Sequence, residues 1–321
     1  MMVGEGTHYD KRQTYSLNEL QKNPPRPVRF FIHNFIPEGL SIIAGRPKNA
    51  KSWMAWNLCL AVSRGGIALG AFEAEKARAL YIALEDSAPR VYGRINMLMA
   101  IEPPGTKWPE DCLCRMSLFE ENGTCSALEA LIDETSARFI VIDTFGKYTV
   151  GRKRSNDMYK DEYAIMGALQ DIAMTRGLAI VLIHHFNKAI EVRSSFDRIS
   201  GTSAMSGGPD TVIVIEREPQ TGTWIKVVSR DFEEAEHQAQ FDNKTGLWKV
   251  MTEGKGITIT KGKRDIMDFM TKKRHPVLIE DVVEALNDKT TSTRNHMWRM
   301  EKDGLIKKNE AGFYYLPDTV I

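Results

Sequence analysis

Four stretches of the chain, Leu40 to Ala44, Ala79 to Leu84, Arg138 to Phe145 and Leu178 to Ile183, are continuously apolar rather than alternating. A strand with that pattern is buried on both faces, as in a parallel sheet covered by helices. Helical periodicity fills the gaps between them. Trp53 to Arg64 contains no proline or glycine until Gly65-Gly66 stops it, Pro89 to Ala100 follows the second strand, and a long amphipathic helix runs from about Asp157 to Thr175. Strands alternating with helices predict an α/β fold built on a mostly parallel sheet. The pattern then changes. Thr211 to Glu216 and Trp224 to Ser229 read as a hairpin across Pro219 to Gly222, with a further pair at Gln238 to Phe241 and Leu247 to Val250.

The ends have their own grammar. Met1 to Lys22 is polar, with a short helix at Ser16 to Gln21, and Pro24, Pro25 and Pro27 form a stiff lead-in. Phe30, Phe31 and Phe35 follow, placed either to stack near a nucleotide base or to cap the core. Ile101 to Cys114, with three prolines and Gly105, reads as a loop. From Thr252 to Lys263 glycine, threonine and lysine dominate, as in a linker. The segment after it runs helix, helix, helix, strand, strand, with LIKK and FYYL around Glu310 to Gly312, the order of a winged helix-turn-helix. The expected organisation is a lead-in over 1–24, an α/β domain over 25–250, a linker over 251–263 and a winged-helix domain over 264–321.

The chemistry concentrates where strands end. Gly45, Arg46, Pro47, Lys48, Asn49, Ala50, Lys51 and Ser52 fit the P-loop spacing G-x-x-x-x-G-K-[ST] at every defined position but one, since Ala50 replaces the second glycine. Such a loop wraps a β-phosphate in backbone N–H groups, with Lys51 reaching the β- and γ-oxygens and Ser52 ligating Mg²⁺. The helix that starts at Ser52, with Trp53 in its first turn, adds its dipole to the anion site. If the loop needs positive φ at Ala50, the Cβ costs about 1–2 kcal/mol. Glu85 follows the second strand at the same sheet edge, where a carboxylate can polarise a water for attack on a γ-phosphate. The competing role is a cap for the next helix, which Asp86 or Ser87 fits better. Asp143 closes the third apolar strand in the Walker B arrangement, able to hold the water shell of Mg²⁺. His184 and His185 close the fourth, suited to sensing a γ-phosphate or a second ligand; neighbours on a strand face opposite ways, so one of them packs. A basic stretch around Lys147, Arg152, Lys153 and Arg154 and a long polar segment with Lys188, Arg193 and Arg198 are candidate functional loops. In the last segment Arg294, Asn295, His296 and Arg299 lie on the third helix.

Charge adds little. The 321 residues carry 43 Lys and Arg against 42 Asp and Glu, so any nucleic-acid site is a local patch. Residues 251–321 hold 13 basic against 11 acidic groups, which leaves DNA and protein as open partners for the third helix. With no apolar run near 18 residues, a soluble cytoplasmic protein without a membrane partner is expected. The four cysteines make no C-x-x-C pair and read as reduced thiols, with Cys59 packed on the P-loop helix.

The strings AGRPKNAKSW, LYIALEDS, RFIVIDTF, IVLIHHFNK, ISGTSAMSGGPDTVIVIER and VVSRD, in that order, resemble the RecA-like ATPase domain of plasmid RepA-type hexameric helicases, with DnaB and KaiC more distant. The resemblance covers about residues 25 to 250. It implies a RecA-like twisted sheet, a homo-hexamer with ATP and Mg²⁺ at each interface, and single-stranded DNA in the centre. Carried over, it implies Lys51 and Ser52 as ligands, Glu85 as base, Asp143 as the Walker B acid and His185 or His184 as γ-phosphate sensor. Arg230 becomes the finger that reaches a neighbour's ATP, and the loop from Lys188 to Ser203 faces DNA. Ala50 and the appended winged helix depart from the family's pattern; the latter implies recognition of duplex DNA or of a replication partner such as an initiator or primase.

Overall fold

A computed structural model describes residues 14–117, 125–149, 158–185, 208–218, 222–251, 258–273, 275–287, 290–302, 305–309 and 312–316. Helix α1 (Leu17–Lys22) opens on a capping box in which Ser16 and Glu19 satisfy each other's backbone N–H groups. Then come β1 (Phe30–Ile32), β2 (Ile36–Pro37), β3 (Gly39–Gly45), α2 (Lys51–Arg64), β4 (Gly66–Ala68), β5 (Phe72–Ala74), β6 (Ala79–Ala83) and α3 (Ala88–Met99). They are followed by β7 (Cys112–Arg115), α4 (Cys125–Thr135), β8 (Phe139–Asp143), α5 (Phe145–Tyr148), α6 (Met158–Arg176) and β9 (Ala179–His185). Strands β10 (Thr211–Glu218), β11 (Gly222–Ser229), β12 (Ala235–Asp242), β13 (Leu247–Val250) and β14 (Thr258–Thr260) end this part. The tail has α7 (Lys261–Lys273), α8 (Ile279–Leu286), α9 (Thr290–Lys302), β15 (Lys307–Lys308) and β16 (Tyr314–Tyr315).

The main sheet runs in the order β13, β12, β11, β10, β3, β9, β8, β6, β7, with β14 also paired to β12. From β10 through β7 its neighbours are parallel; β11, β12 and β13 extend it antiparallel. This mostly parallel sheet with flanking helices fits the RecA-like α/β class. Its registers pair odd residues with odd: Ala79 with Phe139, Phe139 with Ala179, Gly39 with Ala179, Thr211 with Ser41. Successive side chains alternate sides, so one face collects Ile43, Tyr81, Val141, Val181 and Ile213 against α2, and the other collects Ile42, Ile82, Ile142 and Leu182 against α4, α5 and α6. Cys59 is buried under the first face, as expected.

Several elements were not legible beforehand. Strands β1, β2, β4 and β5 form a small antiparallel sheet in the order β2, β1, β5, β4. Phe31 and Phe35 are fully buried in it, the first beside Phe139 (6.1 Å between centroids) and the second stacked on Phe72 (4.7 Å), so they cap the core rather than meet a base. The segment Ile101 to Cys114, expected as loop throughout, ends in edge strand β7, and α4 was not anticipated. Within the stretch expected as a linker, β14 pairs with Ala235 to His237 of β12 and α7 starts at Lys261. The tail elements match the expected order and enclose their own core of Ile266, Met270, Val277, Val282, Met297, Met300, Ile306 and Tyr314. No helix among the described residues is long and apolar enough to cross a membrane.

Candidate functional site: the loop after β3

The loop after β3 is held by close packing at Gly45 and by the side chains of Asn49, Lys51 and Trp248. Gly45 closes the strand so tightly against β10 that a Cβ would lie 2.8 Å from the Ile215 carbonyl oxygen. That oxygen also accepts the Asn49 side-chain N–H at 3.1 Å. Lys51 Nζ donates to the Gly45 and Arg46 carbonyls, each at 2.9 Å, and the indole N–H of Trp248 donates to the Ala50 carbonyl at 3.0 Å. Lys48 and Ala50 both have left-handed backbones, φ 67° and 54°. The strain anticipated for alanine in a glycine position is therefore present, about 1–2 kcal/mol. Helix α2 begins at Lys51, one residue earlier than the sequence reading, and Trp53 sits in its first turn beneath Arg94 (5.6 Å) and beside Phe241 (6.0 Å).

The odd-numbered face of the sheet carries the rest. Asp143 is 4% exposed and accepts hydrogen bonds from the Tyr81 and Ser52 hydroxyls. Burial raises its pKa above the usual carboxylate range, and those two bonds pull the other way. Tyr81, two residues before Ala83 on the same face, is stacked on Trp56 with centroids 3.8 Å apart. Lys51 is 4% exposed, and burial lowers its ammonium to about 8 against the attraction of Asp143 and Glu85. Glu85 Oε1 accepts the Thr144 hydroxyl at 2.9 Å. The cap position of α3 is Ser87, which frees Glu85 from that competing role. Asp86 is instead gripped by Arg90, at 3.3 Å, and by Arg94.

The two histidines separate as strand geometry requires. His184 pairs with Ala44 in register and packs near Phe145 at 6.0 Å; burial first, then His185 and Lys51, lowers it to about 4, so it is neutral. His185 pairs with Gly45, shares the face of Ile183, and is lowered by burial and by Lys51 while Glu85 and Asp143 raise it. His185 is thus the one of the pair that faces the loop. Arg230 lies elsewhere. Its backbone N–H donates to the Asp210 carbonyl at 3.0 Å and its guanidinium meets Asp210 Oδ1 at 3.3 Å; Asp210 in turn receives the N–H of Leu40 through Oδ2. It therefore sits at the beginning of β3, about 16 Å along the strand from Gly45. Arg152, Arg154, Lys188, Arg193 and Arg198 lie outside the described residues. Arg294 and Arg299 lie exposed on α9 with Asn295, Trp298 and Lys302, whereas His296 is half-buried.

Beside the loop opens a cleft of about 660 Å³, lined by Lys48, Asn49, Ala50 and, from the antiparallel strands, Arg217, Phe241 and Trp248 among others. Sequence reasoning missed Tyr81, Thr144, Arg94, Asn57, Phe241 and Trp248. Parity along β6 and β8 could have found Tyr81, and Thr144 follows the Walker B acid; nothing local pointed to Trp248, which meets Ala50 across 198 positions.

A buried cation, a buried carboxylate bonded to a hydroxyl at a helix start, and a second carboxylate on the turn from β6 to α3 define a P-loop nucleotide hydrolase. The AAA domain family matches residues 9–191, more than half of the chain, and the chain belongs to that family of ATPases. The matched span takes in the loop, Glu85, Asp143 and both histidines, and stops short of Arg230 and the tail. No curated protein matches. Among solved structures, the crystal structure of KaiC-like protein PH0186 from the hyperthermophilic archaeon Pyrococcus horikoshii OT3 is 11% identical over 71% of this chain and 100% of that one, with a TM-score of 0.49.

Proposed function

We propose that the protein is an ATP-hydrolysing DNA helicase or translocase of the RepA type, working as a ring of six in the replication of a mobile element such as a plasmid or phage. The observation that carries this reading is the placement of Arg230 at the end of the sheet opposite Lys51. So far from its own loop, Arg230 is proposed to serve a neighbour's, and a subunit with donor and acceptor ends associates head to tail, in a ring where the rotation between subunits closes. At each interface the loop amides and Lys51 hold the β- and γ-phosphates, Ser52 ligates Mg²⁺, and Asp143 holds the ion's water shell. The cleft beside the loop, with Phe241 and Arg217 on its wall, takes the base. Glu85 accepts the proton of the attacking water as its oxygen bonds to the γ-phosphorus and the bond to the β-bridging oxygen breaks. His185 senses the γ-phosphate.

The tail supports a DNA role. On α9, Arg294, Asn295, Trp298, Arg299 and Lys302 are exposed at helical spacing on one side, and Lys307 and Lys308 are exposed on β15. The pair of Arg294 with Glu280 at 3.7 Å is exposed and weak, so it does not withhold the arginine. Read as a winged helix, this side meets duplex DNA, with a replication protein such as an initiator or primase as the other occupant. Arg152, Arg154, Lys188, Arg193 and Arg198, outside the described residues, are the proposed contacts to the single strand. Ala50 in a strained backbone favours a second reading, a nucleotide-switched DNA-binding or helicase-loading protein with slow turnover. Strand displacement on a tailed duplex, together with ATPase rates with and without single-stranded DNA and negative-stain images with ATP, separates them. Rings, stimulation and displacement are expected; binding without stimulation or displacement would leave the second reading.

A further inference from the structure

The strained residue of the phosphate loop is held by a side chain from the far end of the domain. Ala50 has φ 54° and ψ 31° and no side-chain cap. Its carbonyl accepts the Trp248 indole N–H at 3.0 Å. Because the peptide unit is planar and trans, fixing the direction of the Ala50 carbonyl fixes the Lys51 N–H on the same plane, pointing the opposite way. The indole is itself immobilised. Trp248 is 3% exposed; its backbone N–H donates to Asn57 Oδ1 at 3.0 Å, and Asn57 Nδ2 donates to the Gly246 carbonyl at 3.0 Å and the Trp53 carbonyl at 2.7 Å. Asn57 is on α2, so the β12 to β13 turn is clasped to the helix that the loop feeds.

We propose that Trp248 is a positioning residue for the phosphate loop, holding Ala50 in the left-handed backbone that a glycine adopts unaided. The inference rests on the nucleotide-binding reading of the loop and adds to it a reason why alanine is accommodated there. Glycine visits positive φ about as readily as negative φ, whereas alanine relaxes away from it once the restraint is removed. The Trp248 bond therefore matters in the alanine loop and becomes dispensable in a glycine loop.

The test is a double-mutant cycle on the full chain, reading the dissociation constants of MgATP and of magnesium inorganic triphosphate, which has no base to occupy the cleft. Trp248→Phe should weaken both ligands about tenfold. Ala50→Gly should bind as well as the unaltered chain or better, and the double variant should fall within about threefold of Ala50→Gly. If Trp248→Phe folds poorly, β-(3-benzothienyl)alanine at position 248, which keeps the ring shape without the N–H, carries the same expectations. An equal loss in both backgrounds, or a loss for MgATP alone, would overturn the proposal, the latter by making Trp248 a base contact. Lys51→Ala distinguishes the underlying reading: undiminished triphosphate binding by that variant would mean that the loop is not the phosphate site.

Discussion

The Thr144 hydroxyl donates to Glu85 Oε1 at 2.9 Å, so the residue after the buried Asp143 orients the carboxylate that follows the neighbouring strand. Thr144 is 3% exposed and held between β8 and α5, which makes that bond a restraint on the Glu85 rotamer. Thr144→Val should lower the ATP hydrolysis rate about 10- to 100-fold with nucleotide affinity nearly unchanged, and Thr144→Ser should retain most of the rate. Glu85→Ala should bind ATP and not turn it over. Single-turnover hydrolysis beside equilibrium binding checks both; hydrolysis by Glu85→Ala at the unaltered rate would dismiss it as the base.

Burial brings the Lys51 ammonium down to about 8, so it carries its charge below that pH and loses it above. Triphosphate binding needs the charged form. MgATP affinity should therefore be flat up to about pH 7.5 and then fall, by about tenfold per pH unit at the limit, as the charged fraction drops. Lys51→Arg, whose guanidinium does not titrate in this range, should flatten the profile even if it binds less well. Calorimetry between pH 7 and 9 gives the answer, and a level profile for the unaltered protein would contradict the assignment.

Arg230 and Lys51 should complement each other between subunits. A finger is worth roughly 10³ or more in rate, so Arg230→Ala and Lys51→Ala should each be nearly inactive alone. Mixed together they form some interfaces with an intact loop on one side and an intact arginine on the other, and activity should partly return. No recovery in assemblies verified as mixed would mean that Arg230 works within its own subunit or has no catalytic role.

Gly246 has φ 75°, and a Cβ there would lie 2.3 Å from the Trp53 ring. Gly105, at φ 87°, has nothing within 4 Å of the same position. Gly105→Ala should cost only the backbone strain, about 1 kcal/mol, while Gly246→Ala should cost about 1–3 kcal/mol more, because the turn must lift from α2. Denaturant titration of the two variants compares them directly.

On α9, Arg294→Ala and Arg299→Ala should each lower the slope of log affinity against log salt by roughly one if they contact phosphates. Titrating the full chain with mixed-sequence duplex at two salt concentrations measures it. Binding that ignores both changes would leave a protein partner as the occupant of that side.

The parallel part of the fold could be read ahead because its strands are buried on both faces, and continuous apolar runs such as FIVID admit few other interpretations. The residues proposed for the site were read from strand ends, and Gly45, Glu85, Asp143 and His185 do lie at one edge of the sheet. Strands β1, β2, β4 and β5 were missed because two- and three-residue strands carry no period. Which histidine faces the loop needed the register of β9 against β3, since both residues of the pair read alike in sequence. Trp248 was out of reach for a different reason: an indole that bonds a carbonyl 198 positions away leaves no trace in local spacing.

The outer edge of β12 is shared end to end, with β13 covering Ala239 to Asp242 and β14 covering Ala235 to His237. Part of the stretch expected as a linker is thus a strand of the ATPase sheet, and the place where the chain is cut decides what is left behind. A truncation after Val250 strips β14 and bares backbone N–H and C=O groups on β12, a template for strand addition by another copy. One placed after Thr260 removes the helical tail and leaves that edge closed. The safe seam between the two parts lies past the strand, at the first turn of α7.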